Sequence, residues 1–400
     1  MTHFITRDDL CSYLVHYHSL DNFNILSGET GVKNIFKRLG SIQYDPLNVV
    51  GRNPYLVLQS RIKGFTADIL DKLLYKDRYL VDAWDKEMSI YRTEDWKFFN
   101  RVRIHKDDEY KRILERRGQT EVLTHTKYIL NEFKNRRQLA AKDINLGKCK
   151  SNRWGHKNIS GAALDYLFSI GKLGIYEKKN VIRIYDIIEN LLPEKTINAK
   201  EPFKNDIEFY EWYILRRIGS IGVHWLRNGL GWNGYFINDR KLRIEIFNNL
   251  EKKGLIQKIT VPEINEDFYI RQQDTKFLQK KPDYDNCVRF LAPLDNILWD
   301  RLMVYKLFNF LYSWEVYLPK EKRKYGYYVL PVLYQNKIIA RMEPQKHEAG
   351  NPFTIKNWWW EAGVSINGKL KSAIKNGLNI FCEYLKADGI DKKSLENIYT

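Results

Sequence analysis

The chain has 400 residues, 44% of them hydrophobic and 29% charged, a balance that supplies real cores and excludes a disordered chain. Sixty-six Lys and Arg against 49 Asp and Glu leave a formal net charge of +17, which points to a polyanionic partner, nucleic acid before anionic lipid. Cys11, Cys149, Cys287 and Cys382 are dispersed with no CxxC, against a zinc site or a disulfide scaffold, and no apolar run approaches the ~20 residues that span a bilayer, so a cytoplasmic chain with no membrane partner is expected.

In chain order, "ITRDDLCSYLVHYHSL" predicts an opening helix with Thr6 as N-cap and Asp8 and Asp9 in its first turn. "GVKNIFKRLG" predicts a second, closed by Gly40 at a left-handed position. After Gly40 the chain should be extended, and Pro46 holds Asp45 out of the helical region. With a side-chain period of two, Gln43 and Asp45 then face one way, while Ile42 and Tyr44 anchor the other face. Such a ledge presents one amide and one carboxylate. The same letters also suit a helix start, because Asp followed by Pro is a common N-cap and N1 pair.

Further on, "EVLTHTKYILNEFKNRRQ" and "LAAKDI" predict helices, and "SGAALDYLFSIG" a third, capped by Ser160 and ended by Gly171. "LGIYE" and "VIRIYDI" alternate as strands around a turn at Lys178-Lys179-Asn180. Helices followed by a hairpin are the order of a winged helix-turn-helix. The order recurs from about 206 to 275, with helices at "DIEFYEWYILRRIGSIG", "VHWLRNGLGW" and "NDRKLRIEIFNNLEKKG" and a hairpin whose turn carries Glu263, Glu266 and Asp267. The first wing reads as basic and the second as acidic. From about 287 the sequence is β-rich and aromatic, with strands meeting at Gln335-Asn336 and a closing helix at "LNIFCEYLKADG".

The fold class expected is α+β, tandem winged helices followed by a β-rich C-terminal domain. The segments are 1–118, a winged-helix-like domain carrying Gln43 and Asp45; 119–204, a second winged helix; 205–282, a third; and 283–400. Among the eight histidines, His16 and His18 lie two apart and so point to different helix faces, which makes no chelate. No phosphate loop with GK[ST] and no GxSxG is present. Residues 318–328, "LPKEKRKYGYY", interleave cations with aromatic rings, a mixture suited to phosphate contact and base stacking.

These blocks together carry a resemblance. "SIQYDPLNVVGRNPYLVLQSR", "ALDYLFSIGKLGI", "YDIIENLLP", "FLAPLDNILWDR" and "KYGYYVLPVLYQNKIIAR" resemble the AlkZ/YcaQ family of winged-helix DNA glycosylases over nearly the whole chain. Gln43 and Asp45 fall on the family's Q-x-Q or Q-x-D positions, and Asp in the second place resembles the YcaQ branch. One departure is Lys86, which stands where family members often carry a histidine in W-x-H-x-x-S. The resemblance implies hydrolysis of the N-glycosidic bond of alkylated bases, N7-alkylguanine and bulky or crosslinked adducts included, without metal or cofactor; a monofunctional reaction, a monomer and a place at the bacterial nucleoid are expected beside it. Gln43 and Asp45 are the expected catalytic residues. Arg52, Arg61, Lys86, Lys178, Lys179 and Arg183 are the expected contacts to double-stranded DNA. A non-catalytic winged-helix regulator would account for the charge and the wings, though not for the Gln43-x-Asp45 pair.

Overall fold

The computed structural model describes residues 3–149 and 156–399 and mixes helix and strand throughout, an α+β fold. The chain divides into two units, Asp71–Asp206 and a discontinuous one formed by Met1–Leu70 with Ile207–Thr400. The units do not follow the expected segments, because the chain leaves the first unit at Leu70, inside segment 1–118.

In the discontinuous unit, helix Arg7–Tyr17 opens as expected, Thr6 accepting from the amide of Asp9. Helix Gly28–Leu39 buries Val32, Ile35, Phe36 and Leu39 and stops at Gly40, whose φ of 77° turns the chain into strand Ser41–Gln43. Helix Asn53–Gln59 follows, with Pro54 in its first turn. After the excursion into the other unit come helices Asp206–Ile221 and Arg240–Lys252 and the hairpin Ile256–Val261/Glu266–Arg271, to which His3–Phe4 adds a parallel strand. The acidic turn of this hairpin is compensated: Glu266 pairs with Arg227 and Asp267 with Lys258, each at 2.5 Å. The last part carries a four-stranded antiparallel sheet, Ile355–Trp360, Lys337–Pro344, Leu330–Tyr334 and Arg289–Phe290 in spatial order. It is more helical than expected, since helix Gly368–Leu385 begins ten residues before Leu378, and a further helix, Lys392–Tyr399, follows.

The helix expected at "VHWLRNGLGW" is absent save for a 3₁₀ turn at Leu230–Trp232. Buried arginines explain this. Arg217 donates to the carbonyl of Gly231 and Arg243 to that of Leu226, and Arg243 also holds the carbonyls of Ile237 and Asn238 just beyond, so guanidinium groups serve a backbone that is not helical.

In unit Asp71–Asp206, hairpin Leu80–Trp84/Met88–Arg92 precedes helix Asn100–Arg117, and a core including Phe133, Leu164, Leu167, Phe168 and Tyr185 joins the later helices to hairpin Leu173–Lys179/Ile182–Ile187. The helix expected from residue 121 is two, Glu121–Thr124 and Thr126–Arg136, broken where the Thr126 hydroxyl donates to the Leu123 carbonyl. Ser160 is not a cap: helix Ile159–Ser169 starts after Asn158, and Ser160 is buried inside it. Lys178 and Lys179 lie in the strand, and the turn is made by Asn180, with φ 55°, and Val181.

One ion pair is buried completely. Arg61 donates to both carboxylate oxygens of Asp295 at 2.8 and 2.7 Å, and both side chains are 0% exposed. Beside it, His18 donates from Nε2 to the Ile221 carbonyl at 2.7 Å; burial and the Arg61 charge bring its pKa down to about 3, so the ring is neutral. A buried pair adds little net stability, but a lone partner is costly. Asp295→Ala should lose about 3–5 kcal/mol in urea unfolding at neutral pH, and the double change Arg61→Met with Asp295→Leu should recover most of it. A single variant within about 1 kcal/mol of wild type would contradict this account.

Candidate active site

The ledge exists, and its backbone is held by side chains. The Leu39 carbonyl accepts from the Ser220 hydroxyl at 2.7 Å, that of Gly40 from Arg216 at 2.9 Å, that of Ser41 from the Asn296 amide at 2.9 Å, and that of Gln43 from the Asn53 amide at 2.8 Å. Asn53 is itself buried, and its amide oxygen accepts from the Leu294 N–H at 3.0 Å. The three consecutive residues Leu294, Asp295 and Asn296 thus engage Asn53, Arg61 and Ser41 in turn. The "FLAPLDN" block is the brace behind the ledge. Asn53, Asn296 and Ser220 are positioning residues that the sequence reading missed. Their only signal is an Asn-Pro pair at 53–54 and an Asp-Asn pair at 295–296, both common in turns.

Alternation follows the expected period. Ile42 and Tyr44 are buried, whereas Gln43 and Asp45 are half-buried. No helix starts at Asp45. Its Oδ1 instead accepts from the Leu47 N–H at 2.9 Å, an Asx turn across Pro46. Desolvation pushes the Asp45 carboxyl above its ordinary 3.8, opposed only in part by the Leu47 hydrogen bond. The Asp45 charge in turn acts on the phenols of Tyr317 and Tyr328. Gln43 Oε1 is buried without a hydrogen-bond partner, an acceptor left unsatisfied beside a desolvated carboxylate.

The expected DNA contacts divide. Arg61 is excluded, because it is fully buried on Asp295. Lys178 is also excluded: its side chain is 4% exposed and lies 2.5 Å from the buried Asp82 carboxylate, so reaching a phosphate would strand that charge. Lys86, at the tip of hairpin Leu80–Trp84/Met88–Arg92, is only 8% exposed and offers no surface ammonium group. Lys179 does reach solvent, 68% exposed and paired at 2.9 Å with Glu177. Arg183 is partly exposed and leans on Asp165 at 3.2 Å, which Tyr185 and His156 share. Arg52 is half-buried at the start of helix Asn53–Gln59, near the ring of Tyr55. Among the described residues, no cluster of three His, Cys, Asp or Glu side chains could hold a metal, and no helix is long and apolar enough to cross a membrane.

This fold matches that of a known class of enzyme. The profile of the family described as DNA glycosylase AlkZ-like matches residues 36–382, and the chain belongs to that family of DNA repair glycosylases. Among solved structures it is similar to the Streptomyces sahachiroi DNA glycosylase AlkZ, with a TM-score of 0.64 over 98% of this chain and 99% of that one, at 11% identity.

The raised Asp45 carboxyl has a consequence for stability. A carboxyl whose pKa is higher in the folded state binds its proton more tightly there, so ionisation destabilises the fold as pH rises through that value. Asp45→Asn keeps an acceptor for the Leu47 N–H and removes the buried charge. It should raise Tm at pH 7, and the gain should shrink as pH falls towards the ordinary 3.8. Thermal melts across that range check this; a lower Tm at pH 7 would show that the charge stabilises the turn.

Proposed function

We propose that the chain hydrolyses the N-glycosidic bond of alkylated purines in double-stranded DNA, N7-alkylguanine above all, extending to bulky or interstrand-crosslinked adducts. The observation that carries the reading is the pair on the ledge: a desolvated carboxylate, Asp45, beside an unsatisfied buried acceptor on Gln43. N7 alkylation makes the base cationic. When the C1′–N9 bond breaks, its electron pair goes to N9 and the base leaves neutral, so no acid is needed. The sugar becomes an oxocarbenium-like cation, and a carboxylate close by stabilises that charge. Asp45 then accepts a proton from the water that attacks C1′, while Gln43 accepts a hydrogen bond from the same water and orients it. The products are free base and an abasic deoxyribose.

Lesion recognition in this reading uses the helices and hairpin of 119–204 and of 205–282 as winged helices against the duplex, with Lys179, Arg183 and Arg52 on phosphates. The burial of Lys86 supports a monofunctional reaction, because a buried amine is not offered to an incoming sugar. A regulator without chemistry would gain nothing from an unsatisfied amide oxygen next to a desolvated carboxylate.

On a duplex carrying N7-methylguanine, Asp45→Asn should lower the single-turnover excision rate by ~10²–10⁴ while the protein stays folded and DNA affinity is unchanged or slightly higher. Gln43→Ala should slow it less, since water partly replaces a neutral amide. Borohydride should trap no protein–DNA adduct. Wild-type excision by a folded Asp45→Asn protein would remove Asp45 from the chemistry.

A further inference from the structure

Tyr317 is the most exposed large side chain with apolar character among the described residues, at 81%, yet it sits on a segment held as firmly as the ledge. It ends the 3₁₀ turn Glu315–Tyr317, and its ring meets that of Trp314 edge-on at 5.7 Å. The buried Glu315 carboxylate accepts from the amides of Tyr325 and Gly326 at 3.0 and 3.4 Å, tying the turn to the loop that leads into strand Leu330–Tyr334. The buried Glu343 accepts from the Tyr327 amide at 2.8 Å, so close that a Cβ on Gly326 would lie 2.4 Å from its carboxyl carbon. Two buried carboxylates therefore fix one surface loop. Glu343 is further served by Asn357 at 2.7 Å and Lys356 at 3.3 Å, which offsets the cost of burying its charge.

The same segment is coupled to the ledge. The Tyr312 ring lies 4.4 Å from the Arg301 guanidinium, which donates to the Pro293 carbonyl at 2.7 Å; the next residue, Leu294, is clasped by Asn53 beneath Gln43. Around Tyr317 the loop carries the exposed Lys320, Lys322 and Lys324, and Arg323, whose Nε donates to the Leu318 carbonyl at 2.8 Å and whose guanidinium lies 5.0 Å from the Tyr327 ring. An aromatic face flanked by cations, five residues beyond the Tyr312 ring that packs on Arg301, suits one occupant: a nucleobase with its phosphates.

We propose that Tyr317 is the stacking face for the damaged base, a cationic alkylpurine, with Lys320, Lys322 and Arg323 on the flanking phosphates. The inference rests on the glycosylase reading for the identity of the base. The chemistry distinguishes lesion from guanine: a cationic purine gains from the electron-rich phenol face, and a neutral one does not gain that electrostatic part. Tyr317 is thus a specificity residue, distinct from the pair that performs the hydrolysis.

The test uses the full-length protein and two duplexes, one with a single N7-methylguanine and one intact. Affinities for both are measured in the Asp45→Asn background, with Tyr317, Tyr317→Phe and Tyr317→Ala, and excision is measured with Asp45 restored. Tyr317→Ala should lower the preference for the damaged duplex about 10- to 100-fold, the worth of one base–aromatic stack, and slow excision to a similar degree. Tyr317→Phe should stay within about twofold of wild type, because it keeps the ring. Tyr399→Ala, at an exposed tyrosine elsewhere, should change neither. An unchanged preference in a folded Tyr317→Ala protein overturns the proposal, as does equal loss of affinity for both duplexes, which would place the ring on an undamaged base. Loss in Tyr317→Phe equal to that in Tyr317→Ala overturns it too, since the hydroxyl would then be the active part. If wild type excises nothing, the glycosylase reading falls, while the binding preference still decides the role of Tyr317.

Discussion

An extended segment that leaves a helix must find partners for every backbone carbonyl it buries, and here that requirement organises the site. Four carbonyls between Leu39 and Gln43 are served by Ser220, Arg216, Asn296 and Asn53. Side-chain donors that come from several elements fix a backbone in three dimensions. Two of these donors, Ser220 and Arg216, are on helix Asp206–Ile221, and Asn296 follows the residue that Arg61 grips. The Arg61–Asp295 pair therefore acts as an anchor, and the direction in which Gln43 and Asp45 point is set by Asn53 nearby together with residues far along the chain, Arg216, Ser220 and Asn296.

This explains what was legible in the sequence. The ledge's alternation, the turn at Gly40 and the first helix's cap depend on local rules of period, φ and capping, and each stands in the structure. The family membership was legible for a different reason, since it rests on several blocks in order. The brace was not legible, because an asparagine that hydrogen-bonds across more than 200 residues looks like any turn asparagine. The missing helix at residues 223–232 has the same origin: Arg217 and Arg243 offer tertiary partners to the backbone, and tertiary context overrides a weak local preference.

Charge was the most misleading local signal. Net charge of +17 says that the protein attracts polyanions; it does not say which cations meet them. Arg61 and Lys178 lie in basic-looking stretches and are spent internally on Asp295 and Asp82. Two of the three acids of the second hairpin are paired with Arg227 and Lys258. Of the cations expected at DNA, Lys179 reaches solvent and Arg183 does so in part, and the loop beyond Tyr317 adds exposed cations that the expectation did not include.

The central claim is that a desolvated Asp45 acts in its ionised form on the sugar cation. The pH dependence of single-turnover excision tests it most directly, because N7-methylguanine is cationic throughout and any acid limb belongs to the protein. The account predicts a rate that is flat near neutrality and falls on acidification through a midpoint above the ordinary carboxyl value of 3.8, with that limb absent in the slow Asp45→Asn enzyme. A rate independent of pH, or the same limb in Asp45→Asn, would contradict it.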